Sequence, residues 1–222
     1  MALKELLLKN LRGRSVLDVG CGSGAMVRAL AERGLAASGL EPDRELYGLA
    51  VRTVAGLEPP SQLLNINLKD LSERETSHFE SFLLLDVLEH IEADDVFLLK
   101  LSQLMPSGSQ LLLLVPALTG LFGKRDRAVG HYRRYDRERL KRIFSPCGFR
   151  SVEVNYWNAL GTPVYWFFEK ILGRSIHEGF RLQTKRSFFA RMINNLLLGW
   201  FRAVENRTPF PIGLSFFVKA SK

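Results

Sequence analysis

Cysteine is nearly absent from this chain: Cys21 and Cys147 are the two in 222 residues, and Cys21 lies inside a glycine-rich stretch. A disulfide framework is therefore not expected, which fits a reducing cytoplasm. Long apolar runs are lacking too. LLLLV at 111–115 has the length of a buried strand, far short of the ~18–20 residues that span a bilayer. The opening MALKELLLKNLRGR sets Lys4, Glu5 and Lys9 among its leucines. That denies it the uninterrupted core of a secretion signal and predicts an amphipathic lead-in helix. Internal repeats, low-complexity tracts and Pro/Gly/Ser-rich linkers are missing, as is the G-x-x-x-x-G-K-[ST] of a phosphate-gripping loop. A soluble or peripheral protein is the expectation, cytoplasmic and in contact at most with the inner face of a membrane.

What is present is an ordinary globular composition, 46% hydrophobic and 24% charged, which gives no sign of disorder or of a fibrous class. The length suits one α/β core, residues 1–222 as a single domain with room for an insertion. The net charge of +8 favours an anionic partner, without choosing among nucleic acid, a phosphorylated substrate and a membrane surface. Strand-like runs at 15–19, 36–40, 61–66, 80–85, 109–115 and 150–156 alternate with helical patterns at 24–33, 43–56, 92–104 and 136–146. This rhythm predicts a doubly wound, mostly parallel sheet. A seventh strand, 213–221, is expected to pair antiparallel with 150–156. Residues 158–208 between them are too many for a bare connection.

The stretch VLDVGCGSG, 16–24, places Gly20, Gly22 and Gly24 where a strand becomes a helix, with free N–H groups at the helix start. Counted from Gly20 to Ala25 it even satisfies the dinucleotide pattern G-x-G-x-x-A. Asp18 argues against that reading, because its carboxylate would stand beside a pyrophosphate. A cationic adenosine ligand is instead attracted by an acid there. Glu41, ending the second strand, suits the vicinal hydroxyls of a ribose.

VLDVGCGSG, then GLEPD, then SFLLLDVLEHI resembles the class I S-adenosylmethionine-dependent methyltransferases over about residues 1–157 plus the last strand. The resemblance implies a Rossmann-like seven-stranded fold with S-adenosylmethionine as cofactor. Asp18, Gly20, Cys21, Gly22 and Gly24 would then surround its methionine part and Glu41 its ribose. Ile66-Asn67-Leu68 stands where such enzymes often carry Gly-Asp-Ala, so Asn67 and Leu68 are expected beside the adenine.

Methyl transfer from a sulfonium asks the protein to align the acceptor and exclude water, and at a hydroxyl to supply a base. Asp86, Glu89 and His90 in DVLEHI are spaced i, i+3, i+4, similar to the Glu-x-x-Glu-His of ubiquinone-biosynthesis O-methyltransferases, whose acids and histidine hold a divalent cation. The favoured reading here has no metal: Asp86 borders the cofactor, and Glu89 and His90 orient the loop. In GKRDRAVGHYRRYDRERLKR, 123–142, nine of twenty residues are Lys or Arg. A helix capped by Asp136 is expected to solvate many of them. The preceding GHYRRY resembles a segment of bacterial methyltransferases associated with envelope sugars or lipids, and offers His131 as base and Arg133 and Arg134 as an anion clamp. His78 and His177 are assigned no chemistry.

Within 158–208, Phe189, Ile193, Leu196, Trp200 and Val204 recur at helical spacing, and Tyr165, Trp166, Phe167 and Phe168 precede them. A helical lid is the favoured reading; a surface meeting lipid head groups through Lys170, Arg174, Lys185 and Arg186 competes with it. The function expected is methyl transfer, at oxygen, to a small-molecule or lipid-linked anionic acceptor, with His131, Asp86 and His90 as catalytic groups. The alternatives are a nucleic-acid methyltransferase, weakened by the lack of an Asn/Asp-Pro-Pro-aromatic tetrapeptide, and a cofactor-binding module without catalysis.

Overall fold

In a computed structural model, residues 2–57, 61–166, 199–208 and 210–222 are described. The chain runs α1 (Ala2–Asn10), β1 (Ser15–Val19), α2 (Ala25–Ala31), β2 (Ala36–Leu40), α3 (Arg44–Val54), β3 (Leu63–Leu64), α4 (Glu73–Thr76), β4 (Ser81–Leu85) and α5 (Asp94–Leu104). It continues through β5 (Gln110–Pro116), α6 (Lys124–Ala128), α7 (Arg137–Phe144), β6 (Ser151–Trp157), α8 (Gly161–Trp166) and β7 (Ser215–Ser221). The seven strands form one sheet in the order β3-β2-β1-β4-β5-β7-β6. β7 runs antiparallel between β5 and β6, and the other neighbours are parallel. The lead-in helix and the α/β architecture expected from the sequence are both present.

The central strands read as unbroken apolar runs because helices cover both faces, so neither side of the pleat can be polar. Along β5, Leu111, Leu113 and Val115 enter one core with Leu98 and Leu101 of α5 and Leu140 and Ile143 of α7. Leu112 and Leu114 point the other way, to Leu6 and Leu7 of α1, Val27 and Leu30 of α2 and Ala50 and Val54 of α3. Leu112 and Leu113 are each 0% exposed. β3 is shorter than the expected 61–66, since Asn65 leaves the ladder to donate its side-chain amide to the carbonyl of Glu41 at 2.8 Å.

α3 starts at Asp43, whose carboxylate accepts from the N–H groups of Glu45 and Leu46. α7 starts at Asp136, which accepts from Arg139 N–H at 2.7 Å. Each cap satisfies backbone donors that the helix itself leaves orphaned.

Of the insertion expected at 158–208, residues 167–198 lie outside the described part, and with them Phe167, Phe168, Lys170, Arg174, His177, Lys185, Arg186, Phe189, Ile193 and Leu196. Its two ends are tied together. Glu205, in a π-helical turn over Phe201–Glu205, accepts from Ala159 N–H at 2.5 Å and from Trp200 Nε1 at 3.0 Å. No helix among the described residues is long and apolar enough to cross a membrane.

Leu113→Ala, removing a fully buried side chain from the central strand, should cost ~2–5 kcal/mol of folding stability. Urea titration of the purified protein measures it.

Candidate functional site

β1 and β4 are neighbours, and from that seam the chain proceeds to β2 and β3 on one side and to β5, β7 and β6 on the other. Open α/β sheets bind ligands in the crevice at such a reversal, beyond the carboxyl ends of the strands. The loop after β1 and the loop after β4 meet there. Gly20, Gly22 and Gly24 all have positive φ, between 55° and 76°, where other residues pay roughly 1–2 kcal/mol. The N–H groups of Gly20 and Cys21 both donate to the Leu40 carbonyl, at 2.8 and 2.9 Å, which closes the turn tightly. A Cβ on Gly20 would lie 2.6 Å from Cγ2 of Val87 in the loop after β4, whereas one on Gly22 would meet nothing within 4 Å. Gly20 thus permits the two loops to touch, and Gly22 leaves an open cradle.

Two buried acids face this cradle. Glu41 accepts from Gly22 N–H at 2.8 Å through Oε2 and from Asp43 N–H at 3.0 Å through Oε1, so it ties the glycine loop to the start of α3. Asp18 is 3% exposed; burial pushes its carboxyl up to about 7, and the nearby charge of Glu41 adds to the effect. A carboxylate so placed is stabilised by a cation at short range. The cradle and its two acids fit S-adenosylmethionine, with a cationic end toward Asp18 and a ribose toward Glu41. Cys21 packs its sulfur against Gly39, and burial pushes its thiol up to about 12, which makes it a packing residue of the loop. Asn67 is exposed, with its backbone N–H on Asp70 at 3.2 Å. Leu68, next to it, is 5% exposed and packs its side chain into the main core.

After β4, Asp86 turns the chain with φ of 52°, its N–H bonded to Leu114 at the end of β5. Desolvation raises its carboxyl, partly offset by the charge of His131. Glu89 is 0% exposed, and neither of its carboxylate oxygens has a hydrogen-bond partner. Burial, followed by the charge of Asp86, pushes its pKa up to about 8. His90 is exposed and its ring meets that of His131 edge-on, with centroids 4.6 Å apart; desolvation and then His131 lower its pKa.

His131 arrives from the GHYRRY segment. Its Nδ1 lies 3.2 Å from Oδ1 of Asp126, and its Nε2 lies 3.9 Å from Glu89. Tyr132 N–H donates to the Glu89 carbonyl at 2.8 Å, which fixes the two segments side by side. Burial works against ionisation of Asp126, yet hydrogen bonds with His131, Arg134 and the Gly123 N–H outweigh it and hold the carboxyl down at about 2. An ionised Asp126 keeps the proton of a neutral imidazole on Nδ1 and frees the Nε2 lone pair. Asp126 was not singled out in the sequence, although it sits five residues from His131.

The two arginines expected to clamp an anion are otherwise engaged. Arg134 is 7% exposed, donating to Asp126 at 2.9 Å and to the Ala117 carbonyl at 3.2 Å. Arg133 donates to the carbonyls of Ile91 and Glu92 and pairs with Asp94 at 3.0 Å. Asp94 also accepts from the buried Tyr135 hydroxyl and from Arg139. The basic segment is thereby stapled to the start of α5, and its arginines build the site's frame. Nor does the cation-binding set suggested by spacing form. Among the described residues, the donor atoms that gather within 4.8 Å belong to Glu89, His90 and His131; Asp86 stands outside the group.

A family model described as a methyltransferase domain matches residues 2–154. The chain belongs to that family. It is 27% identical over 104 residues to the ubiquinone biosynthesis O-methyltransferase of Dechloromonas aromatica, covering 47% of this chain and 45% of the relative. It is 37% identical over 84 residues to the protein of the same name from Pseudomonas syringae pv. tomato, covering 37% and 35%. The chain thus matches less than half the length of these curated relatives. Among solved structures, a SAM-dependent methyltransferase from Archaeoglobus fulgidus aligns over 99% of this chain and 93% of its own, with TM-score 0.59 and 19% identity. Phosphoethanolamine N-methyltransferase 2 of Haemonchus contortus aligns over 99% and 52%, with TM-score 0.64 and 18% identity. These similarities establish the fold.

Asp18→Asn should separate stability from binding. Asp18 titrates higher in the folded protein than in the unfolded chain, so the stability carried by its protonated form is lost as pH rises through about 7. The ligand-free variant should therefore melt above wild type at pH 8, with the gap closing toward pH 4. Its affinity for S-adenosylmethionine should fall at least tenfold. Thermal melts at the two pH values and calorimetric titration check both halves.

Proposed function

We propose that this chain transfers the methyl group of S-adenosylmethionine to an oxygen of a small or lipid-linked anionic acceptor. One observation carries the reading: Asp86 belongs both to the loop packed on the glycine cradle and to the wall of a cavity of about 380 Å³, which Glu89, Arg125, Asp126, His131 and Asn158 also line. The loop that packs on the cradle through Val87 thus also lends Asp86 to the wall of the cavity read here as the acceptor site. S-adenosylmethionine supplies an already activated methyl group. What the chain adds is position and a place for the proton. Asp18 and Glu41 fix the cofactor, Asp86 borders the junction, and the Nε2 lone pair of His131, aimed by Asp126, takes the acceptor's hydroxyl proton as that oxygen gains the methyl.

Oxygen as the atom methylated is favoured by the imidazole on the cavity wall and by the similarity to ubiquinone biosynthesis O-methyltransferases. Arg125 on the wall and the overall positive charge suit an anionic acceptor. An apolar hollow of about 720 Å³, lined by Leu118, Leu121, Tyr156, Pro163 and Ile212 among others, supports a lipid-linked one. Its lining residues Tyr135 and Ala159 follow directly in the chain on Arg134 and Asn158 of the acceptor cavity. The nucleic-acid reading is weakened, because Arg133, Arg134 and Arg139 serve internal ion pairs.

Incubation of the protein and a metabolite extract with methyl-labelled cofactor should deliver label to the lipid or small-molecule pool, and label in nucleic acid would overturn the acceptor class. On the acceptor found, His131→Ala should lower kcat by ~10²–10⁴-fold, while cofactor affinity stays at the wild-type value. An unchanged kcat would remove His131 from the chemistry.

A further inference from the structure

Positive φ is unfavourable outside glycine, and among the described residues Asp86, Leu118 and Asn158 adopt it. Asp86 and Asn158 line the same cavity. Asp86 follows β4 and Asn158 follows β6, with β5 and β7 between those strands. The register sets Leu85 beside Leu114, Pro116 beside Ser215 and Ser215 beside Trp157, so the strand ends share one rim of the sheet. Three strand spacings put the two residues roughly 14 Å apart along it. His131 stands at the acidic end, with Glu89 and Asp126.

The Asn158 carboxamide is held in one orientation. Its Oδ1 accepts from Gly161 N–H at 3.1 Å, a bond that the nitrogen of an amide cannot make. A Cβ on Gly161 would lie 2.5 Å from that oxygen, so the glycine makes room for it. The backbone is fixed as well: the Asn158 carbonyl accepts from Leu214 N–H at 3.2 Å, and Ala159 N–H donates to Glu205. With Oδ1 engaged, Nδ2 is the polar atom left over, and it donates to no described residue. Strain sustained by surrounding bonds is found where a side chain must be presented to a ligand. The next residue, Ala159, lines the apolar hollow. Asn158 thus stands where the polar cavity gives way to an apolar one.

We infer that Asn158 sets acceptor specificity, its Nδ2 donating to an anionic oxygen at the end of the acceptor remote from the hydroxyl that is methylated. The inference deepens the reading above and rests on it for the role of the cavity. Asp86, Glu89 and Asp126 make the His131 end unfavourable for a negative charge. The molecule that fits is elongated, with a hydroxyl at one end and a carboxylate or phosphate at the other. On a lipid-linked acceptor that group is the phosphate between head and tail, the tail entering the hollow at Ala159; on a free hydroxy acid it is the carboxylate. A site built to donate to such an oxygen rejects the analogue without it, because the donor is then left unpaired.

The test is calorimetric titration, at pH 8, of the whole chain saturated with S-adenosylhomocysteine. The probes are 3-(4-hydroxyphenyl)propionate, 4-hydroxyphenyl phosphate and the neutral 4-propylphenol. Asn158→Asp and Asn158→Gly both tolerate positive φ. The first keeps an oxygen for Gly161 N–H but sets a negative charge where the donor stood; the second loses both atoms. The expected order of affinity for an anionic probe is wild type, then Asn158→Gly, then Asn158→Asp, with at least a tenfold loss in the last. All three proteins should bind 4-propylphenol alike, and unchanged cofactor affinity reports folding. Preference for the phosphate probe identifies a lipid phosphate as the source of the anion, and preference for the carboxylate a free hydroxy acid. The reverse order, with Asn158→Asp like wild type and Asn158→Gly weakest for every probe, is that of a purely structural residue and overturns the inference. So does failure of wild type to bind either anionic probe. Equal labelling of an acceptor from the extract by wild type and Asn158→Asp defeats the inference alone, whereas wild type that labels no acceptor defeats the reading beneath it.

Discussion

The closest constraint in the site is the contact between Gly20 and Val87. The loop after β1 and the loop after β4 occupy the same crevice, and they approach until the position of a Gly20 Cβ lies 2.6 Å from Val87. Only a residue without a side chain allows that approach, and the same residue supplies the φ of 76° that the turn needs. From this contact the rest is arranged. The cradle of Gly22 and the acids Asp18 and Glu41 lie on one side of it, and Asp86, Glu89 and the cavity proposed for the acceptor on the other. The sheet order makes the meeting possible by setting β1 beside β4.

A second tier fixes the GHYRRY segment through buried charge. Asp94 gathers Arg133, Arg139 and the Tyr135 hydroxyl, and Asp126 gathers Arg134 and His131. Ion pairs taken out of water are poor sources of net stability, since desolvation offsets their attraction. Here they give a segment with few apolar side chains a fixed path and present His131 at a set angle. The positive charge that the sequence displays as a partner-binding surface is thus partly consumed in building the site.

The sheet was legible because β4 and β5 are apolar on both faces, as strands of a sheet covered on both sides must be. The cofactor loop was legible because its glycines, Asp18 and Glu41 lie close in sequence around one turn. The side proposed for the acceptor was less so. Asp94 meets Arg133 and Arg139 across about forty residues, with no local period to announce the pairing. α6 is five residues of mostly charged side chains without an apolar stripe, so 124–128 reads as loop.

The contact between the two loops is tested most directly by calorimetric binding of S-adenosylmethionine to Gly20→Ala and to Gly20→Ala/Val87→Ala. The single variant should lose most of its affinity, as an added methyl drives the loops apart. The double variant should regain a substantial part, because the opposing methyl groups are gone and only the left-handed strain of about 1–2 kcal/mol remains. Wild-type affinity in the single variant, or no recovery in the double, would contradict the account.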